Sequence, residues 1–235
     1  MRRPALVAIA ALGTLAPLLS ACGDGVEPAR LDPAGFVARI DNPYWPMTPG
    51  TMWTYEERGG GGSVRRVDVT VTFDTRVIMG VLATVVHDVV TEDGEVVEDT
   101  YDWFAQDRSG NVWYLGEDTK EFERGVLVGS EGSWEAGADG AEAGIVMPAN
   151  PRPGLSYRQE YYKGEAEDRA EVVSLTERQG VPAGIFDQML MTRDWTPLEP
   201  GVIEHKYYAK GVGPVLAVTV SGGAGREELV RFVRP

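Results

Sequence analysis

Residues 67–73 read VDVTVTF, with valine or phenylalanine at 67, 69, 71 and 73 and aspartate or threonine between them. A period of two sends successive side chains to opposite faces of an extended strand, so this segment has one buried and one solvated face. Similar runs recur down the chain. VLATVVHDVV (81–90) is apolar at both parities and reads as a more central strand. EVVEDTYDWFAQD (95–107) and NVWYLGE (111–117) flank Arg108-Ser109-Gly110-Asn111, a hairpin turn signal. Further strands are expected at 155–162, 169–178, 186–195, 202–211, 215–221 and 226–233. No stretch combines helical periodicity with caps. The pattern predicts an all-β, antiparallel protein of about 10–12 strands.

Sliding the chain against itself exposes an internal similarity. Pro49-Gly50 falls on Pro153-Gly154, an offset of 104, and the same offset brings Gly80 onto Gly184 and Trp53 onto Tyr157. It also brings Trp103-Phe104-Ala105 onto Tyr207-Tyr208-Ala209, and residues 49–105 match 153–209 at 11 of 57 positions without a gap. The expectation is two tandem related units, about 49–115 and 153–220, forming one sandwich or an incomplete barrel. Residues of about 120–150 read as an insertion with a short hairpin and a glycine-rich loop.

The N-terminus begins MRRPALVAIAALGTLAPLLSACGDG. Arg2 and Arg3 precede an uncharged apolar stretch too short for a comfortable transmembrane span, the form of a secretory signal peptide over residues 1–21. It ends in Leu19-Ser20-Ala21-Cys22, the pattern of a bacterial lipobox. Cleavage between Ala21 and Cys22, with acylation of the Cys22 thiol and of the amine then freed, would anchor the chain. Two or more acyl chains hold a protein stably where one does not. Cys22 is the sole cysteine of the chain, so no intramolecular disulfide can form. The expected location is the outer face of the cytoplasmic membrane, or the outer membrane in a Gram-negative source. Residues 22–40 read as a flexible tether and 41–235 as the β domain.

Loss of Arg2 and Arg3 with the signal takes the formal charge from −14 to −16. Such a chain is repelled by nucleic acid and by anionic headgroups, so no nucleic-acid partner is expected. The partners foreseen are the membrane, through Cys22, and an unspecified protein or small molecule, with the protein itself a monomer.

Candidate chemistry is sparse. Gly59–Gly62 lacks the Lys-Ser/Thr pair and helix of a phosphate loop and reads as a hairpin tip. Asp99, Asp102, Asp107, Glu117 and Asp118 form no calcium-loop pattern and read as a solvated strand face and turn. His87 and His205 have no second histidine at ligand spacing, so no metal and no cofactor is expected. No nucleophile elbow is present, and no catalytic residue is assigned. Trp113, Trp134 and Trp195 are the speculative ligand-binding residues, because exposed rings stack on sugars or line lipid cavities.

The segments DNPYWPMTPGTMWTYEE, EDTYDWFAQDRSGNVWYLGEDTKEFE and DWTPLEPGVIEHKYYAKGVGPVL resemble a group of bacterial, largely actinobacterial, lipoproteins without assigned activity. More distantly, the Pro-x-x-Pro-Gly-x-x-Trp-x-Tyr opening is similar to curled-sheet envelope domains of the lipoprotein-carrier type. The resemblance implies an exported β protein and carries over no catalytic residue. The leading expectation is a lipid-anchored, non-enzymatic scaffold that binds a ligand or partner. The alternatives are a carrier or sensor holding a lipid or lipopeptide in an apolar cavity, and an envelope hydrolase using a carboxylate pair.

Overall fold

The computed structural model describes residues 31–60 and 62–235. After a 3₁₀ turn at Pro33–Gly35 come β1 (Phe36–Val37), β2 (Met52–Gly59), β3 (Val64–Ile78), β4 (Val81–Glu92), β5 (Glu95–Asp107) and β6 (Val112–Glu123). Short strands follow at β7 (Val126–Gly129), β8 (Trp134–Glu135), β9 (Glu142–Met147), β10 (Ser156–Arg158) and β11 (Glu160–Tyr161). The last five are β12 (Arg169–Val181), β13 (Gly184–Trp195), β14 (Ile203–Ala209), β15 (Gly213–Ser221) and β16 (Gly225–Val233). These 16 strands exceed the expected 10–12 because β1, β7 and β8 are only two to four residues long, β9 lies in the stretch read as an insertion, and the strand expected at 155–162 is split into β10 and β11.

All strands belong to one antiparallel sheet, ordered β10-β12-β13-β14-β15-β16-β2-β3-β4-β5-β6-β9-β11. Of the two architectures expected, the incomplete barrel is the one formed, with the sheet nearly closed on itself. Its closure runs through the chain itself. β10 pairs with β12 at one edge, β11 pairs with β9 at the other, and Gln159 alone separates β10 from β11. Gly144 makes this seam possible, since a Cβ there would lie 2.4 Å from the Gln159 carbonyl carbon.

One end of the barrel is plugged by residues 40–47. Trp45 is buried between the rings of Phe104 and Tyr208, with centroids 5.9 and 5.8 Å away. The Asn42 carboxamide donates to the carbonyls of Gly110 and Pro148, tying the plug to two neighbouring loops. The folded part starts before residue 41, because Phe36 and Val37 pair with Asp107 and Gln106. Two long hairpins, β3–β4 and β12–β13, run on past the plugged rim after register shifts in each pair. At the offset of 104, β3 and β4 fall on β12 and β13.

Candidate functional site

Strand alternation sends every second residue into the barrel, and the sequence fills that interior in two chemistries. Thr100, Asp102 and Phe104 are the buried alternate residues of β5, matched on β6 by Thr119, Glu117 and Tyr114. On β13 they are Asp194, Thr192 and Leu190, and on β14 Glu204, Lys206 and Tyr208. Aromatic and aliphatic members lie toward the plug. Acids and threonines lie toward the other end, joined by Glu160 of the seam and by Asp168.

Burying carboxylates is costly unless each is paired, hydrogen-bonded or protonated. All three answers are present. Tyr114 donates its hydroxyl to Asp102 at 2.7 Å, Thr119 donates to Glu117 at 3.0 Å, and the Trp134 indole donates to Glu160 at 3.1 Å. Lys206, the one buried cation among the described residues, lies 3.5 Å from Asp194 and 4.0 Å from Glu204. Burial lowers the affinity of Lys206 for its proton, but Asp194, Glu204 and Asp168 outweigh this and raise it, so the ammonium stays charged.

One cation cannot neutralise so many acids, and protonation supplies the rest. Burial pushes Asp102 up to about 7 against the Tyr114 hydrogen bond, and nearby Glu98 adds to the rise. Burial likewise takes Asp168 up to about 8, opposed by Lys206 and reinforced by Asp194. Glu117 and Glu160 are raised well above the carboxylate range, first by burial, then by Asp102 for Glu117 and by Asp168 for Glu160. Among the described residues the second oxygens of Glu117, Glu160 and Asp168 have no protein hydrogen-bond partner. The interior is chemically a set of hydrogen-bonded acids of raised proton affinity around one ammonium. Among the described residues no group of three or more His, Cys, Asp or Glu is arranged to hold a metal ion.

Asp102 also reaches a small cleft lined by Trp45, Met47, Trp53, Phe104 and Pro214. Its free volume is about 20 Å³, room for about one water molecule and none for an acyl chain. Trp53 closes its wall by donating to the Val212 carbonyl at 2.8 Å.

The three speculative tryptophans occupy separate environments. Trp113 packs edge-on to Phe36 and donates to Asp107, which also holds the β5–β6 turn. Trp134 is buried inside the barrel, edge-on to Tyr114 at 5.3 Å. Trp195 lies half-buried on the opposite parity to Asp194, under the Arg193 guanidinium. Ala21 and Cys22 lie outside the described residues. His87 stacks on Tyr101 and meets Asp99 at 3.1 Å.

Reading all five acids of 99–118 as solvated is corrected for two of them. Asp102 and Glu117 are buried, 6% and 2% exposed, because they face each other on the inward parity of β5 and β6. Their available signal was the parity they share with Phe104 and Thr119. Glu160, Asp168, Asp194, Glu204 and Lys206 were missed for the same reason.

No protein-family model matches the chain, and no curated protein matches it. Among solved structures, the chain is similar to a Bacteroides fragilis protein described as exported, with a YmcC-like fold, at 16% identity and a TM-score of 0.48. That likeness covers 81% of this chain and 99% of the other. A Parabacteroides distasonis protein described as a lipoprotein is similar at 14% identity and a TM-score of 0.40, covering 81% and 98%. Neither likeness is close enough to bear on what the chain does.

Proposed function

We propose that the chain is an exported, lipid-anchored protein of the cell envelope that works through its outer surface, as a non-enzymatic scaffold. The signal sequence and the Cys22 lipobox support the location. The observation that carries the scaffold reading is the set of large and charged side chains buried in the interior among the described residues. Trp45 seals one end, aromatic rings occupy the adjoining half, and the other half is taken up by hydrogen-bonded acids around Lys206. A carrier needs an open apolar chamber, and the cleft beside Trp45 is about one water in size.

Native mass spectrometry of the chain purified from its membrane, with and without added envelope lipid extract, tests this reading. The expected mass is that of the acylated chain alone in both samples. A co-purifying lipid would replace the scaffold reading with the carrier. Separately, Cys22→Ala is expected to abolish acyl-chain labelling; retained labelling would remove the anchor.

A further inference from the structure

We propose that the β3–β4 hairpin, with the basic loops beside it, rests on a lipid bilayer, so that the plugged end faces the membrane. The inference builds on the reading of Cys22 as the acylated anchor and adds an orientation.

The hairpin presents an uncharged face past the barrel rim. Phe73 is 82% exposed, Val77 65% and Leu82 52%. Val77 pairs with Leu82 and Thr75 with Thr84, so hydroxyls lie beside the apolar pair, and exposed Asp74 stands between Phe73 and Thr75 in the bulge. The hairpin's Arg76 takes the opposite face, where its guanidinium covers Trp103 and pairs with Glu135. Ile78, Val81 and Ala83 are buried on that same opposite side. Large apolar side chains grouped on one exposed face of an otherwise polar surface mark a contact.

The corresponding hairpin of the second unit shows what such a face does when the protein covers it. At the offset of 104, Val77 and Leu82 correspond to Val181 and Phe186, both packed against the core. Ala183 at that tip donates its amide to the Leu229 carbonyl, laying the hairpin along β16. No such covering segment lies on the β3–β4 face among the described residues.

The tether and the charge pattern say what covers it. Pro33 sits on the hairpin tip, where a Cβ on Gly80 would come 3.0 Å from its ring. The chain from Cys22 to Leu31 reaches at most about 30 Å, so an acylated Cys22 keeps this end close to the bilayer. The loops at this end, 38–51, 108–111, 148–155 and 210–212, together with the C-terminal residues 234–235, carry exposed Arg39, Arg108, Arg152, Lys210 and Arg234. Among their residues the acid is Asp41 alone, and exposed Asp32 and Asp74 lie beside the hairpin, so the cations are in excess. A chain whose formal charge falls from −14 to −16 on loss of Arg2 and Arg3 thereby turns its locally basic end toward anionic headgroups. The expectation of repulsion rests on the net charge alone, whereas the proposed contact uses the local excess of cations at this end.

The test uses the full acylated chain in phosphatidylcholine vesicles containing a minor fraction of phosphatidylglycerol and a nitroxide-bearing lipid. Because Cys22 is the sole cysteine and is acylated, Val77→Cys, Leu82→Cys and Val126→Cys can each take one environment-sensitive fluorophore. Val126 is 63% exposed at the opposite end and serves as the comparison. The expected result is a blue shift with several-fold stronger quenching at 77 and 82 than at 126. Equal quenching at the three positions, or none at 77 and 82 on protein that floats with the vesicles, overturns the orientation and leaves the anchor intact. An unmodified Cys22 in the mass spectrum removes the anchor itself.

Discussion

The two halves of the barrel interior are built by one rule and stabilised by different physics. Near the plug, alternate residues are Trp45, Phe104, Tyr208 and Tyr114, and the rings Phe104 and Tyr114 stack at 4.8 Å. Packing of this kind depends on shape and on area removed from water. Beyond it, the same alternation delivers Asp102, Glu117, Glu160, Asp168 and Glu204, whose burial is tolerable only with retained protons and Lys206. One half should ignore pH. The other should follow it.

The largest expected effect lies in the aromatic half. Trp45→Ala empties the plug and should cost about 4 kcal/mol, with the same loss at pH 5 and pH 8 in urea unfolding. Next comes Lys206→Met, which leaves the neighbouring carboxylates without their cation and should cost about 3 kcal/mol at pH 8. At pH 5, where more of those acids are protonated, the loss should shrink, and an equal loss at both values would erase the distinction between the halves.

A smaller effect is the pH dependence of the unaltered chain. Burial raises Asp102 to about 7 and Asp168 to about 8, above an unfolded range of about 4. Between these limits the folded chain binds protons that the unfolded chain has released. Stability is therefore fullest near pH 4 and falls as pH rises toward 7 for Asp102 and 8 for Asp168. The slope should be about 1.4 kcal/mol per pH unit for each such proton. Asp102→Asn, which keeps the Tyr114 partner but cannot ionise, should remove one proton's share of that slope. The smallest effect is outside the barrel. Val77→Asp on the open hairpin should change stability by no more than about 0.5 kcal/mol, whereas Phe186→Asp on the covered one should cost more.

Much of the fold was legible because strand alternation is a local signal. The segment 95–107 was read from EVVEDTYDWFAQD and coincides with β5. The closure was not legible. It depends on Gln159 as a single residue between two short pairings and on the missing Cβ of Gly144, neither of which leaves a periodic trace. The interior acids escaped for a related reason. In Thr100-Tyr101-Asp102-Trp103-Phe104 both parities carry rings, so the pattern alone does not say which face looks inward, and acids default to solvent. Trp134 was singled out as a ligand contact, but its place beside Glu160 depends on β8 pairing with β6 across the bulge at Gly116. A Cβ at Gly116 would sit 2.2 Å from the Trp134 carbonyl oxygen, which is a three-dimensional constraint.

The account rests on an interior complete in itself, with protons rather than a ligand balancing the acids. Carboxyl-carbon NMR of the chain labelled at aspartate and glutamate measures those protons directly. The predicted result is titration of Asp102 near 7 and Asp168 near 8, with Glu117 and Glu160 titrating well above the ordinary glutamate value. Titration of all four in the ordinary range near about 4 would contradict it, and would require a hydrated or ligand-filled barrel.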